Sequence, residues 1–441
     1  MNSFGDAQVS QSNGDSIRVL ILSSEYPPSI IGGLGTHVSE LATGLGRAGC
    51  QVTLVALTTH KPEVVRDSNV TAHLIPRSST SDVLAKRNAH VHPGMVEVMS
   101  FNADLVKLGL SLFDRNLCDP DLIHCHDWLT YPAADELRRS LNVPVVSTVH
   151  VLNYPIFGYW GFNVPEEIVD IERELCRNSD GLITVSESMK GIISATHGVS
   201  DDRIDVVHNG LDWRRFAGSG LTADQRKRLR ERVAADDEQI IVFAGRLTAQ
   251  KGVRALLKSA ELVIEEHKSV KYLIAGEADS LHSSQMVEEM IRGQRAMSER
   301  MKLLGRVERK QLGMIYQVAD IAVVPSIYEP FGYAAVEAMA IGVAVIVTGV
   351  GGLNEIVEQE RSGLKVEVKD EGGGRKEVDV EGLARAQVRL LREEETRKRI
   401  GEEGQRRVKE MFNVERMVDR TLLVYRKVAA SSRNQNARAT S

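Results

Sequence analysis

The chain has 441 residues, 42% of them hydrophobic, with 55 basic and 60 acidic side chains and a formal net charge of −5. That length exceeds one hydrophobic core, so two or three domains are expected, and the scattered charges exclude the basic patch that nucleic acid needs. Cys50, Cys118, Cys125 and Cys176 lie far apart without a Cys-x-x-Cys pair, which speaks against a structural zinc site or a disulfide framework and for a reduced, cytoplasmic setting.

Met1 to Ser16 is rich in Ser, Asn, Gly and Asp and is expected to be disordered, with neither the basic start nor the apolar core of a signal peptide. No apolar run reaches the ~20 residues of a membrane span, although peripheral membrane contact stays open. Ile17 to Ser23 reads as a buried parallel strand. A loop through Gly32, Gly33 and Gly35 then opens a helix with Val38, Leu41, Leu45 and Ala48 at helical spacing. Strand, glycine-rich turn and helix form a unit that lets backbone approach a phosphate, but the Gly-x-Gly-x-x-Gly spacing is absent.

Val52 to Leu57 is a second strand, and Lys61 to about Met99 reads as irregular. Asp121 to Trp128 ends a strand in His124, His126 and Asp127. Alternation puts the two histidines on one face, as a metal pair would require; Asp119-Pro120-Asp121 reads as a turn. Val143 to His150 is an apolar strand ending in a histidine that can reach a sugar hydroxyl. The aromatic stretch Asn153 to Trp160 suits a sugar ring or a packed lid. Glu166 to Cys176 is helical, Gly181 to Ser186 is a strand with a helix-starting Ser186, and Ile204 to Asp212 closes this half.

A helix over Thr222 to Ala234 precedes a restart of the pattern at Gln239 to Arg246. Arg246 and Lys251 stand at a strand's end and a helix's start, where two cations can neutralise a diphosphate. Val270 to Gly276 is a strand, and Ser284 to Arg300 and Leu312 to Ala319 are helices. Val323 to Gly342 reads as strand, turn and helix. The turn carries Glu329 and the helix Glu337. Amide N–H groups near Phe331, Gly332 and Tyr333 can bind an anion at the helix start, and a carboxylate suits a vicinal diol. Val343 to Thr348 and Gly351 to Glu355 form a last strand and loop; Val380 to Val408 is one amphipathic helix, and Phe412 to Val428 is a closing helix.

Glu329-Pro330-Phe331-Gly332, with the second acid in Glu337-Ala338-Met339-Ala340, resembles the signature of family 4 of the retaining glycosyltransferases, a group that includes glycogen and sucrose-type synthases. The resemblance covers about residues 17 to 430. It implies a GT-B fold of the α/β class, two Rossmann-like lobes facing a cleft: 17–215 for the acceptor, 216–411 for the nucleotide sugar, and 412–430 crossing back, between a disordered start (1–16) and a flexible tail (431–441). It also implies roles. Gly-Arg-x4-Lys-Gly, holding Arg246 and Lys251, is similar to the family's donor-phosphate string, and His150 and Glu329 complete the expected catalytic set. Glu337 would take the ribose, Asn209 would reach the donor sugar, and Val307 would hold the base. Asp127 would lie beside the acceptor cleft.

The Gly32-Gly33 loop resembles the Lys-x-Gly-Gly of starch and glycogen synthases, but Ile30 replaces the lysine, which argues against a plain ADP-glucose glycogen synthase. The implied reaction moves a hexose from a nucleoside-diphosphate sugar, a UDP-sugar first, to a hydroxyl acceptor such as a sugar, a cyclitol or a growing glycan. No cofactor and no metal are expected. The rival readings are a non-catalytic nucleotide-sugar-binding scaffold and a nucleotide-sugar epimerase; a phosphorylase would need a pyridoxal-bearing lysine, for which no motif is seen.

Overall fold

Strands that are apolar along their whole length need cover on both faces, and this chain supplies it twice. A computed structural model describes residues 16–30, 32–76, 93–153, 164–218, 220–278, 281–293, 295–370 and 376–439. The first lobe holds β1 (Arg18–Ser23), β2 (Gln51–Thr58), β3 (Glu63–Asp67), β4 (Val70–Pro76), β5 (Leu122–His126), β6 (Val145–Val149), β7 (Gly181–Thr184) and β8 (Ile204–Val206). They form one sheet in the order β3-β4-β2-β1-β5-β6-β7-β8, parallel except for β3. The second lobe is an all-parallel sheet of β9 (Gln239–Ala244), β10 (Val270–Ala275), β11 (Met301–Gly305), β12 (Ile321–Val324), β13 (Ala344–Thr348) and β14 (Leu364–Val366), ordered β11-β10-β9-β12-β13-β14. Two Rossmann-like lobes in the GT-B arrangement result.

Seven helices position the cleft: α1 (Gly33–Arg47), α2 (Glu187–His197), α3 (Val253–Glu266), α4 (Arg309–Tyr316), α5 (Tyr333–Ile341), α6 (Gly351–Ile356) and α7 (Val414–Ala439). Helix α7 returns to the first lobe. Its Val414, Met417, Val418, Val424, Tyr425 and Val428 share a core with Val19 and Ile21 of β1 and Val38 and Leu41 of α1. Glycines make room for it: a Cβ on Gly44 would stand 2.5 Å from Val418, and one on Gly181 would stand 2.9 Å from Val428.

Several elements differ from the sequence reading. The region from Lys61 holds the β3–β4 hairpin, because Val70, Ala72 and Leu74 alternate inward while β4 pairs with β2. Within the expected Ser284–Arg300 helix, helices cover Leu281–Arg292 and Arg295–Arg300, and the expected Val380–Val408 helix is Val380–Arg392 followed by Glu394–Met411. Gly351 to Glu355 is helical rather than a loop, and β14 follows the strand expected to be last. Helix α7 continues to Ala439, through the expected flexible tail, since nothing after Ala429 breaks a helix. Ala48 falls outside α1, as its exposed C-cap. Residues 1–15 and most of the aromatic stretch, 154–163, lie outside the described residues.

The two crossings between lobes touch each other. Leu211 N–H donates to the Phe412 carbonyl at 2.9 Å, and a Cβ on Gly210 would lie 2.4 Å from the Asn413 carbonyl oxygen. Gly210→Ala is therefore expected to cost about 1–3 kcal/mol, as overpacking does; an unchanged urea midpoint would contradict this contact.

Candidate functional site

Most of the functional side chains stand at the carboxyl end of a strand or near the start of a helix, where open α/β sheets bind ligands. In the second lobe, Gly252 caps α3 in the left-handed region (φ 69°), and a Cβ there would come within 1.8 Å of the Pro325 carbonyl oxygen. Only glycine allows that approach, and it sets Lys251 beside the turn after β12. Lys251 Nζ lies 2.7 Å from Glu329 Oε2, which also accepts from Ser326 Oγ at 3.0 Å. Arg246 is exposed; its carbonyl accepts from the Thr248 amide at 2.9 Å, and its side chain makes no hydrogen bond or ion pair with the described residues.

Pro330, buried Phe331 and Gly332 (φ 123°) lead into α5, and a Cβ on Gly332 would meet Leu353 at 2.5 Å. Tyr333, the first residue of α5, reaches across to the first lobe. Its hydroxyl donates to the Gly210 carbonyl at 3.4 Å, and its ring would lie 3.3 Å from a Cβ on Gly33. The Gly32-Gly33 loop therefore abuts the start of α5. Glu25 Oε2 accepts from the Gly32 amide at 3.0 Å and from the Gly35 amide at 3.3 Å, so those two N–H groups are already engaged.

One turn into α5, Glu337 is 7% exposed, and burial raises its carboxyl pKa against the opposing pull of Arg309. Arg309, at the start of α4, gives Nε to Glu337 Oε1 at 3.1 Å and Nη1 to Glu40 Oε1 at 2.6 Å. Glu40 belongs to α1 of the first lobe. Burial alone would lower the Arg309 pKa, but the two carboxylates raise it. Val307 follows β11 two residues before Arg309, and Arg306 donates to the Ile30 carbonyl at 2.7 Å.

The first lobe contributes a buried group of histidines. His150 follows β6, and its backbone N–H donates to Asp127 Oδ1 at 2.6 Å. Asp127 is 5% exposed; burial pushes its pKa up to about 8 despite the amides of His150 and Val151. Its Oδ1 thus holds the His150 loop from beneath. His126 Nδ1 lies 3.1 Å from His150 Nε2, and the His37 ring stands 4.5 Å from that of His150. Burial lowers the pKa of His37 to about 4 and takes those of His126 and His150 well below the usual value. All three are neutral imidazoles at neutral pH. Asn209 is 4% exposed, and its Oδ1 has no partner.

Alternation did place His124 beside His126, but His124 is spent on structure: Nδ1 bonds Tyr425 Oη and Nε2 bonds Thr148 Oγ1, each at 2.7 Å. The residues that sequence reasoning missed act across the cleft or from a helix interior. Glu25, His37, Glu40 and Arg309 carry no local motif. Glu355, named only as part of a glycine loop, accepts from His208 Nε2 at 2.8 Å and from the Ser188 and Glu187 amides at the start of α2. Ser186 Oγ also donates across the lobes, to the Pro330 carbonyl at 2.7 Å.

Residues 31–215 match the family described as "Glycosyltransferase Family 4", and residues 224–407 match "Glycosyl transferases group 1". An uncharacterized glycosyltransferase of Methanocaldococcus jannaschii is 31% identical over 80% of this chain and 86% of its own length. A glycogen synthase of Mycobacterium tuberculosis is 30% identical over 93% of this chain and 94% of its own. Among solved structures, sucrose-phosphate synthase from Thermosynechococcus elongatus superposes with a TM-score of 0.74 at 24% identity, covering 94% of this chain and 100% of that one. The two family models and these relatives, on a fold of this kind, define a glycosyltransferase. The chain belongs to glycosyltransferase family 4. Among the described residues, no helix is long and apolar enough to cross a membrane.

Two outcomes test the contacts between lobes. Arg309→Met leaves two buried carboxylates without their cation and is expected to cost about 2–3 kcal/mol in urea unfolding, less than for a fully buried pair because a third of the Arg309 side chain is exposed. For Glu355, burial raises the pKa, but the bonds from His208 and the two amides outweigh it and leave the pKa lowered. A lowered pKa gives stability that is complete above the ordinary glutamate range and lost as pH falls through the folded value. The stability gap between wild type and Glu355→Gln is therefore expected at neutral pH and should close in acid; a gap that ignores pH would contradict the bond.

Proposed function

We propose that the protein transfers a hexose, with retention of anomeric configuration, from a nucleoside-diphosphate sugar to a hydroxyl acceptor. The observation that carries this is the ion pair of Lys251 with Glu329 just before the start of α5; in this reading His150 faces them from the first lobe. In this reading Arg246, Lys251 and the amides after Gly332 receive the diphosphate, while Glu329 and His150 contact the sugar with Asn209 nearby. Glu337, held by Arg309, takes the ribose hydroxyls, and the backbone at Val307 takes the base. The acceptor enters along the first lobe near Gly32, Gly33 and Asp127, where a glycan, cyclitol or simple sugar would fit the chemistry. A UDP-sugar is the first donor to test, on its frequency in the family alone; Ile30, where starch and glycogen synthases carry lysine, argues only against a plain ADP-glucose glycogen synthase.

In the reaction, the bond from the sugar's anomeric carbon to the β-phosphate oxygen breaks, and a bond to the acceptor oxygen forms on the same face. The acceptor proton passes to the departing phosphate. Fixed cations and amides aimed at that phosphate supply the largest stabilisation, and closed lobes keep water from competing as acceptor. No metal and no cofactor enters this scheme.

Thermal shifts with a set of nucleoside diphosphates identify the donor nucleotide, since a ligand that binds only the folded state raises the melting temperature. Incubation of the matching sugar donor with candidate acceptors then reads transfer, and the anomeric proton signal of the product reads retention. Lys251→Ala and Glu329→Ala are each expected to lower kcat by about 100-fold or more with the fold intact; near-normal turnover in either would refute the assignment. Nucleotide-sugar binding without transfer would restore the scaffold reading, and interconversion of donor sugars without acceptor the epimerase one.

A further inference from the structure

Buried polar atoms are almost always hydrogen-bonded, and each exception asks for an explanation. Four side-chain atoms at the sugar end of the cleft are such exceptions: both ring nitrogens of His37, Nε2 of His126 and Oδ1 of Asn209. They belong to residues at most 4% exposed. His37, His126 and His150 each offer a nitrogen, and these nitrogens all lie within 4.8 Å of one another. The three come from separate elements, α1, the end of β5 and the turn after β6. Their convergence is a product of the fold and not of a local repeat.

We propose that His37, His126 and His150 bind one divalent transition-metal ion of the zinc class, and that its arrival withdraws His150 from the donor sugar. The donor set fits such an ion and not magnesium or calcium, which take oxygen ligands. Zinc–imidazole bonds are about 2.0–2.1 Å long, so two nitrogens 3.1 Å apart, as in His126 and His150, subtend an angle of about 100° at a shared ion. That contact is now a hydrogen bond between neutral rings, and a change of tautomer moves its proton to the opposite nitrogen. His37 makes no hydrogen bond of normal geometry, although its ring faces the Asn209 side chain, which raises its pKa against burial; turning it to complete the set costs only that weak contact.

The fourth position has a candidate as well. Asn209 Oδ1 is buried and makes no hydrogen bond of normal geometry, and its side chain is in weak polar contact with His37. His124 takes no part, since Tyr425 and Thr148 occupy both its nitrogens. The inhibitory consequence rests on the transferase reading, but metal binding itself does not. An ion held by His150 occupies the place of a sugar hydroxyl, so donor and metal exclude each other.

The full-length, chelator-treated protein, with no donor or acceptor present, is titrated with cobalt(II) and followed by its visible absorption. One equivalent per chain with four-coordinate cobalt bands, displaced by zinc, is expected. His126→Gln and His37→Gln should each weaken uptake by about 100-fold or more, while His60→Gln, which removes an exposed histidine outside the group, leaves it unchanged. Absence of stoichiometric uptake by the wild type overturns the proposal whether or not the variants fold, as does uptake that persists in both cluster variants. In the transfer assay zinc should raise the apparent KM for the donor; inhibition that excess donor does not relieve refutes the exclusion of one by the other. Should no transfer be found with any donor, the cobalt result still decides the site.

Discussion

A single guanidinium shared by two buried carboxylates from opposite lobes sets the character of the cleft. Arg309 and Glu337 belong to the second lobe and Glu40 to the first, so bringing the lobes together leaves one positive charge among two negative ones. The surplus is negative where ribose hydroxyls would donate hydrogen bonds. Toward the other end stand Arg246, Lys251 and the amide-rich start of α5, which favour an anion. Lys251 is there paired with Glu329. In the proposed reading the ribose would meet the first group and the diphosphate the second. The first group depends on contact between the lobes, because Arg309 reaches Glu40 across the gap.

Beyond the cations the wall becomes uncharged. His37, His126 and His150 are neutral because burial makes protonation costly. A sugar carries no charge, so a neutral wall with orphan nitrogens suits its hydroxyls. The same lone pairs suit a soft divalent cation. One geometry thus underlies both proposed roles, and His150 is common to the two.

Whatever depends on a short stretch of sequence could be read from it. Apart from β4, β11 and β14, the parallel strands were legible as apolar runs, the start of α5 from Pro330 and the alanine-rich run after it, and the N-cap Ser186 from its place after a strand. The closeness of Lys251 to Glu329 followed from two motifs at equivalent strand ends. What escaped depends on distance along the chain. Glu40 and Arg309 look like solvated helix residues until two lobes are brought face to face, and His37 looks like one more position on α1. The β3–β4 hairpin was missed because only pairing with β2 gives its alternation meaning. The separate fates of His124 and His126, which alternation sets on one face, were hidden for a similar reason: Tyr425, 301 positions away in the chain, holds the His124 ring.

Helix α7 has a consequence for how the protein is made. The sheet that begins with β1 needs Val418, Tyr425 and Val428 to cover it, yet those side chains are encoded beyond the whole of the second lobe. During synthesis on the ribosome, the half that emerges first must wait with an uncovered apolar face until the later half has been translated. The lobe begun earliest is finished last, and a chain cut short before α7 would leave that face for a chaperone or for another chain to cover.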